Sequence, residues 1–140
     1  MQDNDRQEVF PMAPNSDEWF RQAQYDIGTA ELLVSAKRYP PVIFFCHLAL
    51  EKALKALYVE KFNDSPDKTH SLVFLVEILE LELPQKFMDS LFVINRIGIT
   101  GRYPHNLDVV LEQYTKEKTE KIVRETKEIL TWLMQKSSKR

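Results

Sequence analysis

Five polar residues interrupt an otherwise apolar run between Pro41 and Val59: His47, Glu51, Lys52, Lys55 and Tyr58. On an α-helix, steps of four and three residues turn the side chain only slightly about the axis. His47, Glu51, Lys55 and Tyr58 therefore share one stripe, with Lys52 to one side. Two chemistries are open to this stripe. Glu51 and Lys55 can form an i, i+4 ion pair in the favourable order, worth about 0.2–0.5 kcal/mol. Alternatively, the lysines can hold an anion such as phosphate through charge-assisted hydrogen bonds.

Two further positions could join them. His70 follows Thr69 at an expected helix start, where the threonine or a neighbour serves as a cap and the histidine is either local or reaches across the fold to another residue or a ligand. The segment Thr100-Gly101-Arg102-Tyr103-Pro104-His105 combines a glycine that lets backbone approach an anion, a guanidinium that forks onto phosphate and a ring that can stack. The same segment can equally be a loop tethered by a buried Tyr103, with Arg102 paired to an acid. His47 alone reads as a core histidine. Neither an HExxH pattern nor paired cysteine and histidine spacing accompanies it, so no metal site is expected. Spacing assembles no Ser-His-Asp or Cys-His set, and no cofactor is expected.

The elements that must position these residues are helical. Gly28, Gly98 and Gly101 are the only glycines, few for a fold built on repeated tight turns, and strict two-residue alternation is absent. A capping box at Asn15-Ser16-Asp17-Glu18 opens a first helix whose Trp19, Ala23, Ile27, Ala30 and Val34 form one face; Tyr39-Pro40-Pro41 is expected to stop it. The second helix, Pro41 to Phe62, is apolar nearly all round in its first half and must be surrounded, by its own bundle or by a second subunit. A third carries Leu72, Leu75, Val76 and Leu79. A fourth starts at Pro84 with Phe87, Leu91 and Ile94 inward, and a loop is expected from Gly98 to about Gln113. The last helix, near Thr115 to Lys136, places Ile122, Thr126, Ile129 and Leu133 on one face and a Lys/Glu-rich surface on the other.

Composition bounds the rest. In 140 residues, 44% apolar content supports one core and no second domain. The organisation expected is a flexible arm over 1–15, a single domain over 16–136, and a basic end over 137–140, frayed from Lys136. A net charge of -2 excludes a global positive field of the kind that drives bulk nucleic-acid binding, so any anion site must be local. Cys46 is the single cysteine, which leaves no disulfide and suits a reducing, cytoplasmic compartment. No segment approaches the ~20 apolar residues of a membrane span.

Taken in order, Trp19-x3-Ala23-x2-Asp26-Ile27-x2-Ala30-x2-Leu33, Phe44-x6-Glu51-Lys52-Ala53-Leu54-Lys55-Ala56, Thr69-His70-Ser71-Leu72 and Arg102-Tyr103-Pro104 resemble the HEPN family, and the Glu-Lys-Ala-Leu-Lys-Ala block is the most specific piece. The resemblance implies an all-α, up-and-down bundle of about five helices with a four-helix core. It also implies a homodimer linked to nucleotide or RNA binding, beside a small nucleotidyltransferase in toxin–antitoxin-like pairs. It would place Glu51, Lys52, Lys55, His70, Arg102 and Tyr103 along a polar groove, with His47 and His105 as additional members. Leu48 stands where the family often has glutamine. Ribonucleases of the family carry an arginine, four to six residues, then a histidine; here Arg96 stands too far before His105 and Arg102 too near. The expectation is therefore a non-catalytic binding module. The alternatives are a ribonuclease using Arg102 and His105 as an atypical pair, and a protein that only dimerises or docks an enzyme.

Overall fold

A computed structural model describes residues 14–66, 68–100 and 106–138, with six helices and no strand among them. These are α1 (Ser16–Ser35), α2 (Pro40–Phe62), α3 (Leu72–Ile78), α4 (Gln85–Thr100), α5 (Leu107–Gln113) and α6 (Lys116–Gln135). The Asn15 side chain accepts from the Glu18 amide at 2.8 Å, which satisfies one of the orphan donors at the α1 start.

α1 ends earlier than the prolines suggest. Lys37 adopts a left-handed conformation, φ 59°, so that the Arg38 amide reaches Leu33 O at 2.9 Å and the Lys37 amide reaches Val34 O at 3.0 Å. This is a Schellman closure made without glycine. Pro40 then opens α2, where a missing amide donor costs nothing because the first-turn donors have no helical partner. Asn63, at φ 51°, closes it.

α2 runs through the middle of the fold, with α1, α3, α4 and α6 of the same chain packed around it. Its apolar first half thus needs no second subunit to cover it. Fully buried alanines, Ala23 and Ala30 on α1 and Ala49, Ala53 and Ala56 on α2, suit the close approach of the two helices. Leu72 and Leu75 of α3, Leu91 and Ile94 of α4, and Ile129 and Leu133 of α6 complete the core. Cys46 lies wholly inside it, and burial pushes its thiol up to about 12.

Two other expectations change. The break expected from Gly98 is shorter: α4 continues through Gly98 to Thr100, and Leu107–Gln113 forms the short α5, capped by Asn106. The chain end is also anchored as far as Ser138. Ser137 Oγ donates to Glu60 Oε2 at 2.6 Å and the Ser138 amide to Glu60 Oε1 at 3.0 Å. Burial acts to raise the Glu60 carboxyl, but hydrogen bonds from Ser137 and Ser138 outweigh it and leave the group below its ordinary value.

Candidate functional site

Glu51 is the centre of a buried polar cluster on α2. Lys55 Nζ donates to Glu51 Oε2 at 3.0 Å, and both side chains are almost fully buried. The i, i+4 pair that spacing allows lies in the interior, because this stripe of α2 faces the bundle. His47 Nδ1 stands 3.6 Å from Oε1, an electrostatic neighbour beyond hydrogen-bond distance. His70 Nδ1 lies 3.2 Å from both carboxylate oxygens. An ionised carboxylate can only accept, so a hydrogen bond here requires the proton on Nδ1 and leaves Nε2 for other partners.

The segment before α3 brings His70 across. Ser71 caps α3 by accepting from the Phe74 amide at 3.1 Å, while Thr69 Oγ1 accepts from the Ser71 amide at 3.1 Å. The cap is thus Ser71, and Thr69 shapes the turn that aims His70. Asn95 of α4 fixes the same segment by accepting from the Leu72 amide at 2.7 Å. His70 is the open member of the cluster, its side chain 57% exposed.

Lys52 lies to one side, as spacing requires. Its Nζ is 2.8 Å from Asp26 Oδ2 on α1, and its side chain is 19% exposed. Lys55 also stands 5.8 Å from the centroid of the Trp19 ring, within cation–π range. The two lysines and two carboxylates cancel in formal charge, so this site offers shaped hydrogen bonding and no strong field.

Gly98 is the packing residue of the site. A Cβ there would lie 2.4 Å from His47 Cδ2 and 2.7 Å from His47 Cβ, so α4 passes α2 at a distance only glycine allows. Sequence reasoning missed the roles of Asp26, Trp19, Asn95 and Gly98. Asp26 carried a usable signal, a carboxylate on the same helical stripe as Ala23 and Ala30, where a partner is required. Glu51, Lys52, Lys55, His70 and His47 are brought together; Arg102, Tyr103 and His105 lie outside the described residues. Among the described residues no group of three or more His, Cys, Asp or Glu could hold a metal ion, and no helix is long and apolar enough to cross a membrane.

A central apolar helix carrying an internally paired charge cluster, wrapped by α1, α3, α4 and α6, defines a small all-α bundle in which His70 is the exposed end of the cluster. Residues 16–137 match the HEPN domain family, and the chain belongs to it. Its fold is similar to that of TT1696 from Thermus thermophilus, with 23% identity, a TM-score of 0.74, and coverage of 87% of this chain and 98% of that one. It is also similar to ST0689, an archaeal HEPN homologue, with 20% identity, a TM-score of 0.71, and coverage of 86% and 96%. No curated protein matches the chain.

Proposed function

We propose that this HEPN domain is a non-catalytic nucleotide- or RNA-binding module whose ligand meets the exposed His70, with Lys52 as a further contact. The observation that carries this reading is the pairing of an exposed His70 with a buried Glu51, 3.2 Å away. A buried carboxylate that fixes one imidazole nitrogen orients the other toward solvent, which is how proteins preset a histidine for a ligand. Buried ion pairs are weak stabilisers compared with apolar side chains of similar volume, so stability alone is a poor reason to retain this cluster. Lys52 stands beside it as a partly open cation for a phosphate oxygen. The family resemblance adds Arg102 and Tyr103 as phosphate and base contacts.

Calorimetric titration with nucleoside triphosphates and short RNA tests the reading. Saturable binding is expected, abolished in His70→Ala and weakened in Lys52→Ala and Arg102→Ala. Absence of binding at millimolar ligand overturns it.

One observation favours a second reading. Lys52 and Lys55 already have carboxylate partners within 3.0 Å, which suits a purely structural network in a protein that docks another, such as a small nucleotidyltransferase. In that case the same titrations stay flat while a purified nucleotidyltransferase encoded beside this chain binds it.

A further inference from the structure

At one end of the bundle, the finish of α2, the turn after α3 and the end of α6 enclose a cavity of about 200 Å³. Leu57, Leu79 and Leu81 make its apolar floor. Glu60, Lys61, Lys136 and Ser138 make its rim. Two of the three rim charges are already engaged. Glu60 accepts from Ser137 and Ser138. Lys61 Nζ donates to Leu79 O at 3.0 Å and stands 3.5 Å from Glu80 Oε2. Lys136 Nζ lies 4.7 Å from the centroid of the Trp132 ring and, among the described residues, has no carboxylate within ion-pair distance. The cavity is an apolar seat with a cation beside it that lacks an acid.

The chain before α1 carries both complements. Val9-Phe10-Pro11-Met12 is apolar, and Asp3, Asp5 and Glu8 precede it with a single base, Arg6. The described chain also begins at the right end of the bundle. α1 and α2 are joined by a short connection and pack along their length, so α1 starts beside the end of α2. There the Ser16 hydroxyl contributes to the surroundings of the Glu60 carboxyl on the rim. Phe10 stands six residues before Ser16, a stretch that reaches up to about 20 Å when extended. Pro11 and Pro14 restrict Phe10 and Ala13 to extended backbone, which lowers the entropy lost when the segment is held.

We propose that the arm before α1 folds back onto its own chain, with the Phe10 ring seated on Leu57, Leu79 and Leu81 and the Glu8 carboxylate on Lys136. A dry cavity of about 150 Å³ accommodates benzene, so a phenyl ring suits this volume. Glu8 lies two residues from the anchor and meets the cation that lacks an acid. The ring then supplies most of the attraction, and the exposed ion pair sets the direction of the arm. The tether gives the arm a high effective concentration, so a single anchor and one rim pair suffice. This contact needs no ligand at His70 and stands apart from the nucleotide- or RNA-binding reading.

Nuclear magnetic resonance on the whole chain, with labelled leucine methyls and phenylalanine rings, tests the proposal. Nuclear Overhauser effects from the Phe10 ring to the Leu79 and Leu81 methyls are expected, unchanged on dilution. Phe10→Ala should remove the ring-current shift of those methyls. Lys136→Glu should lower the seated population about two- to five-fold, as loss of an exposed ion pair does. Adding Glu8→Lys should restore it. Pocket methyls that do not respond to Phe10→Ala overturn the proposal. So do Overhauser effects that appear only between differently labelled copies in a mixed sample, which would give the cavity to a second molecule. A Lys136→Glu loss that Glu8→Lys fails to restore overturns it as well.

Discussion

Two regions of this molecule invert the usual placement of charge and apolar surface, and they resolve the inversion differently. Around Glu51, an ion pair lies in the interior of an apolar bundle: Lys55 stands 3.0 Å from the carboxylate, with His47 Nδ1 at 3.6 Å inside and the exposed His70 at 3.2 Å on the outer side. Along α5, apolar side chains lie outside among acids, and the described residues leave them uncovered. An interior charge cannot stay unpaired without a cost of several kcal/mol, so the partner must belong to the same chain and fold with it. An exposed leucine costs little in the monomer, so its partner can come later and from elsewhere. The first region should therefore respond strongly to substitution through stability, and the second only weakly.

The largest effect is expected at Glu51. Glu51→Ala leaves Lys55 buried without its carboxylate, a change that costs about 3–5 kcal/mol when a buried pair loses one member. Urea unfolding measures it. Replacing the pair together, Glu51→Leu with Lys55→Met, should recover most of that loss, since apolar residues of similar volume commonly match a buried ion pair. A single substitution costing under about 1 kcal/mol would remove Glu51 from the centre of the cluster and with it the contrast between the two regions.

Gly98→Ala should follow. Alanine favours a helix interior by about 1 kcal/mol over glycine, yet here its Cβ meets the His47 ring, and overpacking of this kind costs about 1–3 kcal/mol. The balance is a net destabilisation that shrinks when His47→Ala is also present. A double-mutant cycle reads that coupling directly. Additive effects would mean that the close approach of α4 to α2 is not what the glycine serves.

Gly98 also explains where the sequence misleads. Inside an apolar-periodic segment, a glycine closely followed by Gly101 and Pro104 reads as the end of a helix. In the fold it is a point of helix contact, and the helix runs on to Thr100. α5 was hidden for a related reason: seven residues give fewer than two full turns, too few for a period of 3.6 to stand out beside glycine and proline. The five longer or better-flanked helices were legible because each buries one stripe against α2 or its neighbours. That Lys55 pairs with Glu51 was legible from spacing, whereas the place of His70 beside them was implied by the family resemblance alone. The interior position of the pair was not legible, since an i, i+4 spacing is the same whether the stripe faces water or the core, and the Asp26 that pairs with Lys52 stands on a different helix.

A smaller effect separates the folded cluster from the anchored chain end. Glu60 is held below its ordinary carboxyl value by Ser137 and Ser138 despite the opposing effect of burial. A carboxyl lowered on folding contributes stability above its unfolded value and loses it as pH falls through the folded one. The anchoring of Ser137 and Ser138 should therefore hold at neutral pH and weaken as pH falls below the ordinary carboxyl range. Glu60→Gln should flatten that part of the stability profile while leaving the neutral-pH cluster at Glu51 intact. Equal acid sensitivity in both proteins would assign the loss to other carboxylates.

The smallest effect on stability is expected on α5. Leu111→Asp should change unfolding free energy by no more than about 0.5 kcal/mol, because the side chain it removes is half exposed and packs no core. Urea unfolding of the two proteins measures the difference. A loss well above that would show that α5 already packs as part of the fold, and would place it with the core that surrounds Glu51 instead of opposite to it.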